Sequence, residues 1–136
     1  MYEVTWLPIL AAGIVAMVIG FAWYHPKVLG AAWMRMSSIT PESVERGKKK
    51  MPAIVAVAIL ASMLVAYVMN RFGITWGVYD VIGAVKLGFW SWAGFVVPTM
   101  LGVVLWEQKP FTLYLINVSY WLVTFIAISI TLVLLG

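Results

Sequence analysis

The sequence predicts an all-α integral membrane four-helix bundle. It predicts N-out/C-out orientation and a short cytoplasmic amphipathic segment between helices 1 and 2. Three observations carry this reading. Of 136 residues, 64% are apolar and 10% charged, whereas soluble domains run near half apolar and a quarter charged. Four stretches, about 4–24, 52–70, 81–106 and 111–135, approach or exceed the roughly 20 residues that a hydrocarbon core of about 30 Å demands. The basic residues are unevenly spread, six of nine Lys and Arg lying between Lys27 and Lys50. The whole chain, 1–136, reads as a single transmembrane domain.

The first span shows Ala12, Ala16 and Gly20 at intervals of four. Glu3 is the only charge before it and its apolar run is too long for a signal-peptide core, so the sequence predicts a retained helix. The connection from His25 to Met51 carries Lys27, Arg35, Arg46, Lys48, Lys49 and Lys50. Leu29, Trp33 and Met36 share one face there, the pattern of a short helix lying in the interface. Thr40-Pro41-Glu42 then reads as a helix start, with Thr as N-cap, Pro in the first turn and Glu at the positive dipole end. That helix should run towards Lys50 and stop or kink near Pro52.

The second span repeats the small-residue spacing at Ala58, Ser62 and Ala66. The third does so at Ala84 and Gly88, then at Gly94, Pro98 and Gly102. Such stripes let helix backbones approach closely in lipid. Pro98 removes a backbone hydrogen bond and should kink the third span. Lys109 follows in the last connection. Arg71 alone lies between the second and third spans, so the positive-inside rule orients the first and third connections to the cytoplasm. Tyr2, Trp6, Trp76 and Tyr79 then belong to the outer aromatic belt. Trp23, Tyr24, Trp33, Trp106 and Tyr114 belong to the inner one.

With 0 Cys and 1 His, the chain has no thiol chemistry and a poor ligand set for any metal. Neither a catalytic constellation nor a phosphate-cradling glycine loop is present, so the sequence predicts no enzyme and no cofactor. The basic run at Arg46–Lys50 is read as a contact with membrane lipids, not nucleic acid.

Lys86 is the one charge well inside a span, about 7.5 Å in from the outer end at 1.5 Å per residue. Intramembrane charges are functional candidates by default, although a lysine stem can also snorkel to the interface. Glu3 and Asp80 are its expected anionic partners, and Trp90, one turn deeper, offers a ring face. In the fourth span, Asn117, Tyr120 and Thr124 form a polar stripe, with Thr131 further along. The stripe should face the interior or a partner subunit, and Asn117 lies roughly 13 Å from Lys86 in depth. At the inner rim, Trp23, Tyr24, His25 and Pro26 meet Glu107 and Lys109 by depth. His25, as the one histidine of the chain, admits a proton-sensing role.

The chain resembles a bacterial membrane family known only as domain-of-unknown-function family 1761. The resemblance rests on Gly20-Phe21-Ala22-Trp23-Tyr24-His25-Pro26, Leu29-Gly30 and Trp33. It continues through Leu87-Gly88-Phe89, Trp92 and Gly94-Phe95, and closes on Glu107, Lys109-Pro110, Asn117 and Tyr120. It implies a small four-helix protein of the bacterial inner membrane and supplies no activity. It favours Trp23, Tyr24, Pro26, Glu107, Asn117 and Tyr120 over Lys86 as site residues. Small multidrug exporters need an acid buried in the first helix, and four-helix quinone–thiol oxidoreductases need cysteines. Neither feature occurs.

Two functions fit the sequence. The first is a transporter or channel for a small, anionic solute, built as a homo-oligomer because four short helices rarely enclose a pathway. Lys86, the Asn117 stripe and Pro98 motivate it. The alternative is a non-transporting accessory, scaffold or lipid-contacting protein, motivated by the small-residue seams and aromatic belts. The sequence leans slightly to the first.

Overall fold

A computed structural model describes the backbone of residues 1–136 and every side chain except that of Pro26, so the expectation placed on that ring lies outside the described residues. The elements are helices α1 (Trp6–Trp23), α2 (Ala31–Met36), α3 (Pro41–Lys48), α4 (Met51–Thr75), α5 (Val81–Ser91), α6 (Val97–Met100), α7 (Gly102–Leu105) and α8 (Phe111–Leu135). Two π-helical turns, Pro26–Gly30 and Trp92–Val96, interrupt the series. Four helical passes are long and apolar enough to cross a membrane: α1, α4, the broken run Val81–Leu105, and α8.

The passes form a curved row. Helix α1 packs along α4 on one side and α8 on the other, and α8 packs along α5. Helices α4 and α5, at the two ends of the row, touch only briefly. The bundle is therefore open sideways between the second and third passes.

Small residues make the closed side possible. Ala12, Ala16, Ala66 and Ala84 are fully buried. At Gly88 the backbones of α5 and α8 come so close that a Cβ would lie 2.8 Å from Ile126 Cα and 3.0 Å from Phe125 O. Lipid tails are as apolar as the helices, so this packing, rather than water exclusion, holds the helices together. The expected seam at Gly94, Pro98 and Gly102 does not form. Gly94 is exposed, and a Cβ there would meet nothing within 4 Å.

Pro98 acts on the third pass differently from a simple kink. Its ring lacks the N–H that would bond Gly94 O, and the helix loosens into the π turn Trp92–Val96 just before it. Neighbouring hydroxyls compensate. Thr99 Oγ1 donates to Phe95 O and, at 3.2 Å, to Val96 O, and Tyr114 Oη donates to Val97 O at 2.8 Å. Tyr114 is thus buried between passes.

The second pass is longer than expected, running on past Asn70 through Arg71 to Thr75. It ends at Gly77, where φ is +67°. Val78 N bonds Gly73 O at 2.8 Å and Gly77 N bonds Ile74 O at 3.4 Å, the paired bonds of a Schellman cap. The N-terminus folds onto this cap, with the Met1 amino group donating to Val78 O at 2.5 Å and Asn70 Nδ2 donating to Glu3 O at 3.3 Å. At the other end of the bundle, Thr40 Oγ1 accepts from Ser43 N at 3.1 Å and caps α3 as the sequence predicts. Leu29, Trp33 and Met36 lie half-buried while Lys27 and Arg35 are exposed, the expected amphipathic division.

Candidate functional site

At the basic end, the C-terminal half of α1 with its cap residue Tyr24 meets the first three turns of α8 through side chains. Tyr24 Oη donates to Asn117 Oδ1 at 2.6 Å. Trp23 Nε1 donates to Ile116 O at 3.1 Å, and Tyr120 Oη donates to Ala16 O at 3.2 Å. The Tyr24 and Tyr120 rings meet edge to face at 5.4 Å, and Trp33 covers Tyr24 from 5.1 Å. The missing side chain at Gly20 makes room, since a Cβ there would lie 3.3 Å from Tyr120 Oη. Asn117, Tyr120 and Thr124 share a face by their spacing of three and four, and α1 is what that face meets. Each hydroxyl and indole donor in this cluster is matched to a carbonyl or amide oxygen of the opposite helix. Such a set clamps two helices together, because an unpaired polar group in hydrocarbon is costly.

The cluster joins two groups that the sequence keeps apart. Tyr24, assigned to the inner rim, bonds directly to Asn117 of the stripe, and Trp23 bonds the backbone carbonyl of Ile116 beside it. The rest of the rim does not join them. His25 is exposed, and its Nδ1 accepts from Lys27 N at 3.1 Å, capping the π turn Pro26–Gly30. Glu107 is exposed and, among the described residues, makes no side-chain hydrogen bond or ion pair. Thr124 lies deeper on the stripe with its hydroxyl buried and unpartnered, as does Ser129. Thr131 turns back to bond Ala127 O of its own helix at 2.8 Å.

At the end that carries Met1, the open side of the row forms a crevice. A hollow of about 370 Å³ is lined by Trp76, Val78, Lys86, Leu87, Trp90, Ser91 and Phe95. A second, of about 240 Å³, lies between Leu64, Val68 and Phe72 of α4 and Ser91 and Phe95, with Phe125 of α8 behind. The two share Ser91 and Phe95. The π turn carries Phe95 to within 6.4 Å of the Phe72 ring across the gap.

Lys86 sits at the rim of this crevice, and neither carboxylate expected for it pairs with it. Asp80 Oδ1 accepts from Gly83 N at 2.7 Å and caps α5. Glu3 is exposed beside the folded N-terminus, where its carbonyl takes the Asn70 amide. Trp90 is 69% exposed and meets Phe89 edge to face, not the ammonium. Among the described residues the one ion pair is Lys48–Glu45 at 2.8 Å, so the Lys86 cation has no protein counterion.

Three contributors escape the sequence reading. Asn70 is nearly fully buried against the N-terminal segment. Trp92 Nε1 donates to Val118 O at 2.8 Å, tying the third pass to α8. Tyr114 ties the same two elements lower down. Spacing holds the signal for two of these. Trp92 continues the Ala84–Gly88 seam by four residues, and Tyr114 extends the Asn117 stripe backwards by three.

The family described as "Protein of unknown function (DUF1761)" matches residues 7–133, nearly the whole chain. No curated protein and no solved structure gives a significant match.

Proposed function

The chain belongs to the DUF1761 family, whose description carries no activity, and from that premise we propose that it is a non-conducting helical membrane protein that acts on the surrounding lipid. One observation carries this reading. Between the first and fourth passes, the Tyr24 and Tyr120 hydroxyls are bonded across the two helices, Tyr24 to Asn117 and Tyr120 to Ala16 O. The exposed cation, Lys86, lines a crevice that opens sideways to lipid. A solute crossing a single chain between these helices would have to break the Tyr24–Asn117 bond, which costs free energy unless the solute replaces it. The reading includes an orientation with both termini outside, since six basic residues crowd the first connection, and residence in a bacterial inner membrane.

The test is solute-driven current and flux in proteoliposomes, with anions, cations and proton gradients in turn. Silence from folded, oriented protein is the expected result. A current that Asn117→Leu abolishes would overturn the reading. A cysteine added after Gly136 should react with an impermeant reagent in intact cells; labelling only after lysis would reverse the orientation.

A second reading, an oligomeric transporter for a small anion, draws on the unpartnered hydroxyls of Thr124 and Ser129 within α8 and on the broken third pass. The same flux assay decides between the two.

A further inference from the structure

We infer that the crevice between the second and third passes is a binding site for one anionic phospholipid, its phosphate against Lys86 and an acyl chain between α4 and α5. This rests on the lipid-directed reading above and names the ligand class for it. The two hollows share Ser91 and Phe95 and form one slot running inward from the Lys86 rim. Below the rim its walls are Leu64, Val68, Phe72, Phe95 and Phe125, which suit a hydrocarbon tail, with Ser91 where the two hollows join. The slot opens sideways because α4 and α5 close only briefly, so its occupant arrives from the leaflet and not from water. At the rim, the ammonium of Lys86 stands without a counterion, Asp80 being committed to capping α5. A cation held about five residues inside a span, or roughly 7.5 Å by helical rise, is costly unless an anion meets it. The anion present in the leaflet at that level is a lipid phosphate. Trp76 and Trp90, both exposed at the rim, give it the amphipathic flanks typical of headgroup depth. The net negative charge of the headgroup selects it over a zwitterionic lipid, whose own ammonium competes with Lys86.

The test is native mass spectrometry of the full chain released from detergent, titrated with phosphatidylglycerol or with phosphatidylcholine. The wild type should retain one phosphatidylglycerol in preference to phosphatidylcholine. Lys86→Met should weaken that retention about fivefold, the effect of one basic group near an anionic headgroup, and Lys86→Arg should restore it. Val68→Trp, which fills the slot with Lys86 intact, should also weaken it. Replacing Lys48, Lys49 and Lys50 together by Gln, at the opposite end of the bundle, should leave that one lipid in place. Equal retention by Lys86→Met and wild type, or no preference for the anionic lipid, would overturn the site. A Lys86-dependent adduct with the mass of a free fatty acid would overturn the assigned occupant. These outcomes are separable from failure of the parent reading. Absent lipid preference with silent proteoliposomes refutes the slot alone, and a solute-driven current refutes the parent reading whatever the lipid result.

Discussion

Substituting Gly88 by Ala tests whether backbone approach between the third and fourth passes holds this fold together. The new Cβ would stand 2.8 Å from Ile126 Cα, 3.0 Å from Ile126 N and 3.0 Å from Phe125 O, all backbone atoms that no rotamer change can move. Carbon atoms in contact prefer at least about 3.5 Å, so α5 and α8 must separate by about 0.7 Å at this point. A gap of that size forfeits roughly a quarter to a half of the dispersion energy of the pairs it opens. Ala84, Leu87 and Ser91 are buried on the same face and share the loss. Overpacking of this kind typically costs about 1–3 kcal/mol, and in lipid no hydrophobic gain offsets it. Gly94, six residues on, is the internal control, because its Cβ would meet nothing within 4 Å. Gly94→Ala should be neutral or stabilising by up to about 1 kcal/mol, the helix-propensity difference. The assay is reversible unfolding in mixed micelles, read by circular dichroism, or steric trapping in bicelles. Gly88→Ala as stable as Gly94→Ala would refute the argument.

Other outcomes follow from named contacts. A double-mutant cycle on Tyr24→Phe and Asn117→Leu should give a coupling of about 0.6–1.7 kcal/mol, the scale of interhelical hydrogen bonds in membranes; zero coupling would mean that the 2.6 Å contact contributes nothing to stability. Gly77→Ala should destabilise the chain by about 1–2 kcal/mol, because φ there is +67° and a Cβ is disfavoured in that region; an unchanged unfolding midpoint would argue against the Schellman cap. Trp92→Phe, which removes the bond to Val118 O, should cost about 0.5–1.5 kcal/mol, whereas Trp106→Phe, at a site 84% exposed, should change stability little. The reverse order would place the structural tryptophan at the wrong end of the third pass.

The candidate sites were legible in part. Asn117, Tyr120 and Thr124 announce a shared face through their spacing, and Tyr24 announces a helix end through the Trp-Tyr-His-Pro run. Nothing in the order of residues says that the two meet, because 93 positions separate them in the chain. Lys86 is conspicuous as a lone charge in an apolar run. That Asp80 is unavailable to it is a matter of local capping, which depends on the dihedral angles before α5. The interior places of Tyr114 and Trp92 were obscured by residue type, since aromatic residues with a polar tip suit the interface and the helix–helix contact equally well.

Composition, run length and small-residue spacing by themselves determined that this chain is a bundle of four apolar helices. A bilayer core demands about 20 apolar residues per pass and internal satisfaction of the backbone, conditions that any one segment either meets or fails alone. The tertiary structure decided the order of the row, α4–α1–α8–α5, and with it the open side. It also decided that Gly88 faces a backbone while Gly94 faces outward, although both look like seam residues in sequence. Gly94 lies six residues beyond Gly88, inside the π turn Trp92–Val96, so the two glycines belong to different faces of the third pass. Spacing separates those faces but does not say which of them meets a neighbour.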